Sequence, residues 1–228
     1  MKLKKLIQKK TKKFIIKNLK NNFSTIFQSF NNSERYYCDI NYVKLKFFKN
    51  SSLAKKGETI NLKIDGQILP KIIETGNYDE FIFNFLKNNL DIKSLFIDVG
   101  SNHGLVSRQI SNIKMVKKII IFEPVVELFN LLKMNLNKIS NLENNNYGWA
   151  KNAGNLSFYE NISNSGDFSL IKNKQRKIKH IFKFKKADNE LAKIINYNKT
   201  LKIILKTDCQ GYDIDIFCNI KNENLKKI

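Results

Sequence analysis

The stretch FIDVGSNHG, Phe96–Gly104, decides how this chain is read. An apolar run ends in an acid, Asp98, and two glycines four positions apart flank a polar turn. A buried strand that feeds a glycine turn and then a helix opens a strand–helix–strand unit. In such folds, ligands bind at the carboxyl ends of the strands. Gly100 permits a sharp turn, and Gly104 removes a side chain where the next helix begins, so that backbone can approach a ligand. The helix start offers free N–H groups to a carboxylate or phosphate. The dinucleotide fingerprint is Gly-x-Gly-x-x-Gly, whereas here Asn102 holds the place of the middle glycine, which disfavours a pyrophosphate.

Two later segments join this turn. IIIFEP places Glu123 at the end of a second apolar strand, 25 positions after Asp98. A carboxylate there can accept both ribose hydroxyls of an adenosine and would repel a 2′-phosphate. LKTDCQGYD places Asp208 at the end of another apolar strand, facing the same crevice. Asp213 opens the next helix, where an acid is more simply read as a cap. Asp98 repels phosphate and attracts a cation or amine. S-adenosylmethionine carries an ammonium and a sulfonium and no phosphate, so the residues suit it better than NAD.

Outward from these motifs the pattern alternates. SLFIDVG, KKIIIFEP, a segment around NNNYGWA, and LKIILKTD read as strands. LVSRQISNI, VELFNLLKMNLNKI, NELAKII and GYDIDIFCNIKNENL read as helices. The expected class is α/β, a mostly parallel sheet with helices on both faces. GNLSFYEN alternates as an edge or lid strand. YDEFIFNFLKNNL is a helix with Phe81, Phe85, Leu86 and Leu90 at helical spacing. INLKIDGQILPKI carries Asp65-Gly66 between two apolar runs, a hairpin signal. Residues 1 to about 35 read as a basic helix. This divides the chain into an N-terminal helical extension with a hairpin (1–75) and a cofactor-binding domain (76–228).

With 42% hydrophobic and 11% aromatic residues the chain is globular. The net charge of +21 is nearly all lysine; arginine occurs only at Arg35, Arg108 and Arg176. Abundant Lys, Asn and Ile share A/T-rich codons. A selected nucleic-acid surface should add arginine, so nucleic acid is not the expected partner. Cys38, Cys209 and Cys218 form no paired motif, which argues against a disulfide framework or zinc site and fits a reducing cytoplasm. The N-terminal apolar runs are too short for a signal peptide. A basic helix there, with Leu3, Leu6, Ile7, Phe14 and Leu19 on one side, reads as a solvated helix packed on the domain in preference to one lying on the inner face of a membrane.

FIDVGSNHG, IFEPVVELFNLLKMNLN, GNLSFYEN, NSGDFSL and LKTDCQGYDIDIF, in this order, resemble the FkbM-type family of S-adenosylmethionine-dependent methyltransferases, over about Asn77 to Cys218. The resemblance implies a class I (Rossmann-like) methyltransferase fold. By position it implies that Asp98, Gly100, Asn102 and Gly104, with Ser101 in the place of the usual Ala, form the methionine-side loop. It places Glu123 on the ribose, Ala150 near the adenine and Asp208 near the reacting methyl. His103 stands where an apolar residue is common and is a candidate general base; a loop histidine with no visible partner is more often a bystander. Trp149 either stacks on adenine or packs in the core. The implied reaction is O-methylation of a hydroxyl on a sugar, glycan or glycolipid. No metal is expected, since one carboxylate does not make a site.

The chain ends soon after the helix that follows the fourth strand. The expectation is a fold lacking its last strands, with the fourth strand at an edge open to association. The competing readings are a truncated remnant that binds membranes or anions without turnover, and a nucleic-acid methyltransferase. The latter lacks an Asn-Pro-Pro-aromatic motif.

Overall fold

A computed structural model describes residues 42–64, 67–161, 164 and 166–228, and the backbone of 23–28. The parallel sheet consists of β4 (Ser94–Val99), β5 (Val116–Phe122), β6 (Leu142–Asn145) and β11 (Lys202–Thr207), in the order β11-β4-β5-β6. All pairings are parallel. Every residue of β4 is buried, as the unbroken apolar run requires of a strand covered on both faces. Alternation then sorts its side chains. Leu95, Ile97 and Val99 pack with α5 (Ala187–Tyr197) and α6 (Asp213–Cys218). Phe96 packs with α2 (Glu80–Asn89), α3 (Leu105–Ile110) and α4 (Val126–Leu136) on the other face. The fold is thus α/β, a four-stranded parallel sheet flanked by helices, compatible with a Rossmann-like architecture. Among the described residues β11 pairs with β4 alone and forms a sheet edge.

A second sheet covers one end of the first. Its strands are β7 (Gly148–Ala150), β8 (Gly154–Asn161), β9 (Phe168–Ser169) and β10 (Arg176–Lys186), in the order β7-β10-β8-β9. Phe158, Phe168 and Phe184 turn inward onto Val125, Leu128 and Ala150. The third strand expected around NNNYGWA is split: LENN closes the parallel sheet, and GWA leaves it to pair with β10. The helix expected from GYDIDIFCNIKNENL is likewise two, α6 and α7 (Asn222–Leu225). Asp188 Oδ1 anchors the second by accepting Lys221 N–H at 2.9 Å and Asn224 Nδ2 at 2.8 Å.

The N-terminal region differs most from expectation. β1 (Phe23–Gln28), β2 (Tyr42–Phe47) and β3 (Thr59–Lys63) form an antiparallel sheet, so residues 23–28 are strand within a stretch expected to be helix. The expected helix over 1–22 lies outside the described residues. The run after Asp65-Gly66 is not the second arm of a hairpin but helix α1 (Ile68–Thr75), which buries Ile68, Leu69, Ile72 and Ile73. The hairpin is instead β2–β3. This unit is fastened to the parallel sheet by polar contacts. Asn135 of α4 accepts Asn61 N–H at 2.7 Å and donates to Asn61 O and His103 O, each at 2.9 Å. Arg108 of α3 donates to Leu53 O at 2.6 Å and to Asn135 O, and pairs with Glu58 at 2.7 Å. Lys63 Nζ lies 3.2 Å from Glu160 and 3.3 Å from Glu127. Among the described residues no helix is long and apolar enough to cross a membrane.

Gly104 serves packing. With φ at +75°, an added Cβ would lie 2.9 Å from Leu136 Cδ1 and 3.1 Å from Leu132 Cγ. Its missing side chain therefore lets α3 start against α4, and does not open space for a ligand. Gly104→Ala is expected to cost about 2–3 kcal/mol, from left-handed strain plus overpacking. Urea unfolding of the variant checks this; an unchanged midpoint would contradict it.

Candidate functional site

The strand order reverses between β4 and β11, the switch point where the loops leaving the two strands diverge and leave a crevice. Three loops meet there: Gly100–Gly104 after β4, Glu123–Pro124 after β5, and Asp208–Tyr212 after β11. A polar cleft of about 210 Å³ is lined by Gly100, Ser101, Asn102, His103, Lys206 and Asp208, among others, with Tyr78, Asp79 and α1 on the opposite wall. It shares Gly100, Asn102, Gly166, Asp208 and Gln210 with a narrow slot of about 40 Å³. The slot is walled by Pro124, Leu128, Trp149, Phe158, Phe168 and Tyr212, with Glu123 at its polar end.

Backbone strain collects at the same place. The non-glycine residues with positive φ among those described are Asp79 (39°), Asn102 (52°) and Gln210 (52°), and all three line the cleft. Such conformations persist only where the surroundings over-determine them, and they cluster at functional sites. Gly100, with φ at +77°, is required where it stands, because a Cβ would lie 2.3 Å from Asp208 O. The first and third loops are thereby packed backbone against backbone.

Beneath the cleft lies a buried ion pair. Parallel register sets Lys206 of β11 beside Asp98 of β4. Lys206 Nζ is 2.9 Å from Asp98 Oδ1, and Ser107 Oγ donates to Asp98 Oδ2 at 2.6 Å. Burial alone would lower the lysine pKa; Asp98 and Asp208 outweigh it and hold the value above the ordinary lysine range. The cation that Asp98 attracts is therefore the chain's own lysine. Asp98 is fully buried and lines neither cavity, whereas Lys206 reaches the cleft floor and donates to Gly100 O at 3.3 Å.

Four amides of the Gly100–Gly104 loop are committed internally. Gly100 and Ser101 donate to Phe122 O at 3.0 and 3.2 Å, and Gly104 donates to Ser101 O at 2.8 Å. Asn102 N–H donates to Glu123 Oε2 at 2.8 Å. Ser101 Oγ donates to Asp98 O at 2.6 Å. A phosphate cradle needs such N–H groups free and convergent. Glu123 accepts Val125 N–H as well, at 2.8 Å on Oε1, so one carboxylate ties the first loop to the start of α4. Each oxygen keeps a further lone pair for a ligand hydroxyl.

The remaining candidates fall as follows. Asp208 is half-exposed and lines both cavities. Burial raises its pKa against the opposing pull of Lys206, and Gln210 Nε2 donates to its Oδ1 at 2.7 Å. His103 is buried, and its Nε2 accepts Lys63 N–H at 3.1 Å. Burial, then the Lys63 charge, push its pKa down to about 3, so the ring is neutral. With Nε2 accepting, Nδ1 carries the proton, and no basic nitrogen faces the cleft. This geometry speaks against a general-base role. Ala150 lies in the aromatic cluster beneath the second sheet and lines neither cavity; Gly148 and Trp149 line the slot instead. Trp149 packs on Phe122 at 5.0 Å, and its indole N–H has no hydrogen-bond partner. Asp213 accepts Cys209 N–H at 2.9 Å and so holds the turn. Lys206 is the site residue that motif reading passed over. The signal for it was a lysine inside an apolar strand two residues before Asp208, which must find an acid when buried.

A scan against protein-family models matches none of them, and a search of curated proteins finds no match for this chain.

Glu123 titrates near neutrality. Burial pushes its pKa up to about 7, against the pull of the Val125 and Asn102 amides. Its ordinary value is 4.5. Between these values the folded chain holds a proton that the unfolded chain has lost, so this contribution to stability is full below about pH 4.5 and is lost as pH rises through about 7. Urea midpoints from pH 5 to 8 should therefore fall in the wild type relative to Glu123→Gln. Parallel curves would contradict the assignment. A constant offset reports only the backbone hydrogen bond that Gln cannot accept.

Proposed function

We propose that the chain is an S-adenosylmethionine-dependent methyltransferase of the FkbM type it resembles, with a class I methyltransferase fold, acting on a hydroxyl of a sugar, glycan or glycolipid. The observation that carries the reading is the meeting of three strand-end loops at the switch point, with a carboxylate between an apolar slot and a polar cleft. The commitment of the loop amides supports a ligand without phosphate in that loop, and so favours S-adenosylmethionine over a dinucleotide. The orphaned indole N–H of Trp149 and the free lone pairs of Glu123 fit an adenosine. The slot is narrower than a purine, so seating one requires rim side chains such as Tyr212 to swing outward.

In this reading Glu123 accepts the ribose hydroxyls. Pro124, Leu128, Trp149 and Tyr212 enclose the base. Gly100, Ser101 and Asn102, with Lys206 beneath them, face the amino-acid end. The cofactor supplies a methyl group already activated by its sulfonium. The protein's part is then chiefly positioning. Asp208, at the junction of the two cavities and with a raised pKa, takes the proton of the acceptor hydroxyl as a modest base. Asp98 acts through Lys206, and Gly104 and Ala150 act through packing. A cytoplasmic setting accompanies this reading, with the acceptor delivered either in solution or at the inner face of a membrane.

Calorimetric titration with S-adenosylmethionine tests it, with NADH as the phosphate-bearing comparison. Saturable binding is expected for S-adenosylmethionine alone, weakened at least tenfold by Glu123→Gln, as about 1.4 kcal/mol from lost carboxylate hydrogen bonds would give. At pH 7 binding should also release about half a proton, seen by comparing buffers of different ionisation enthalpy, because ribose hydroxyls favour ionised Glu123. No heat from a folded chain, or binding indifferent to Glu123→Gln, would refute the reading.

A further inference from the structure

The second sheet has one face turned to the slot and one turned to solvent. Pairing of β10 with β8 sorts the residues. His180 opposite Phe158 and Phe182 opposite Leu156 face inward. Lys179 opposite Tyr159, Ile181 opposite Ser157 and Lys183 opposite Asn155 face outward. Lys177 adjoins them at the irregularity beside Arg176. All four outward residues of β10 are exposed, Ile181 at 65%. Lysine is abundant throughout this chain, and only a minority of the described lysines sit against acids, as Lys63, Lys118, Lys193 and Lys206 do; what sets this face apart is three lysines spaced along one strand about the exposed Ile181. Lys177, Lys179 and Lys183 make no ion pair among the described residues. The β8 residues opposite them on this face carry no acid. Lys185, next along, is already engaged by Glu190 and the Tyr147 ring.

We propose that this outer face of β10 docks on an anionic lipid bilayer, with Lys177, Lys179 and Lys183 on the headgroups and Ile181 inserted between them. Charge complementarity selects an anionic surface. The choice of bilayer over nucleic acid rests on three features of the patch. It is an exposed sheet face and not a groove or a helix, it offers lysine and no arginine, and its centre is a solvent-exposed aliphatic side chain that gains only from an apolar phase. The inner face of the same sheet supplies Phe158, Phe168 and Phe184 to the slot, so docking would bring the crevice within one sheet's thickness of the lipid. The proposal stands on the sheet alone and survives failure of the methyl-transfer reading.

Vesicle sedimentation of the full chain tests it, with phosphatidylcholine vesicles against vesicles containing phosphatidylglycerol. Binding is expected only to the anionic vesicles and should weaken with salt. Replacing Lys177, Lys179 and Lys183 together by Gln should lower partitioning about 100-fold, at roughly fivefold per lysine. Ile181→Ser should lower it further without altering the salt dependence. Amine-reactive footprinting of the wild type on vesicles gives a readout independent of the variants' folding: Lys179 and Lys183 should be protected. Wild-type binding by the triple variant, protection confined to lysines 2–20, or retention on single-stranded RNA without vesicle binding would each overturn the proposal.

Discussion

The crevice hangs from the buried pair of Asp98 and Lys206. Neither charge is affordable alone in the interior of a parallel sheet. Together their charges balance, and Ser107 donates to the second carboxylate oxygen. The pair does more than neutralise. It ties β11 to β4 at the point where strand order reverses, and through Ser107 it fixes the first turn of α3. Through the Lys206 contact to Gly100 O it also sets the height of the loop that floors the cleft. The close packing of Gly100 on Asp208 O then transmits that placement to the loop after β11.

Glu123 plays the matching part on the neighbouring strand. A carboxylate that accepts one amide from the β4 loop and one from the start of α4 makes the two loops a single rigid edge. Burial raises its pKa to about 7 against the pull of those same amides, so its charge is poised to respond to its surroundings near neutral pH. Four loop amides bond within the chain, while carboxylate oxygens and the Trp149 indole N–H keep unused hydrogen-bonding capacity. That inverts the design of a phosphate-binding loop, and under the proposed function it is the physical reason an uncharged ribose and base would be preferred to a phosphate.

What was legible in the sequence followed from strong local signals. β4, β5 and β11 are continuous apolar runs, and α4 repeats leucine at helical spacing, with Leu128, Leu131, Leu132 and Leu136 buried. The two loops after β4 and β5 could be placed because a strand, an acid and a glycine turn constrain one another. Elsewhere the signals were degenerate. Phe81 and Phe85 have helical spacing, yet they are 76% and 56% exposed, because α2 carries a second apolar stripe, Ile82, Phe83, Leu86 and Leu90, which packs on the sheet. Spacing cannot choose between two stripes. β10 went unread because its outward lysines mask the inward His180, Phe182 and Phe184. Asp65-Gly66 signalled a turn and was silent about the next element. The pairing of Asp98 with Lys206 depends on register between strands more than a hundred residues apart, which no local pattern carries.

The most direct measurement is a double-mutant cycle on the pair, from urea unfolding of the wild type, Asp98→Asn, Lys206→Met and the double variant. If the crevice depends on mutual neutralisation, Lys206→Met alone should cost about 3–5 kcal/mol by stranding a buried carboxylate. The double variant should then cost well under the sum of the singles, with a coupling above about 1 kcal/mol. Additive losses, or a mild effect of Lys206→Met, would mean that the two charges stand independently and that the site is organised by something else.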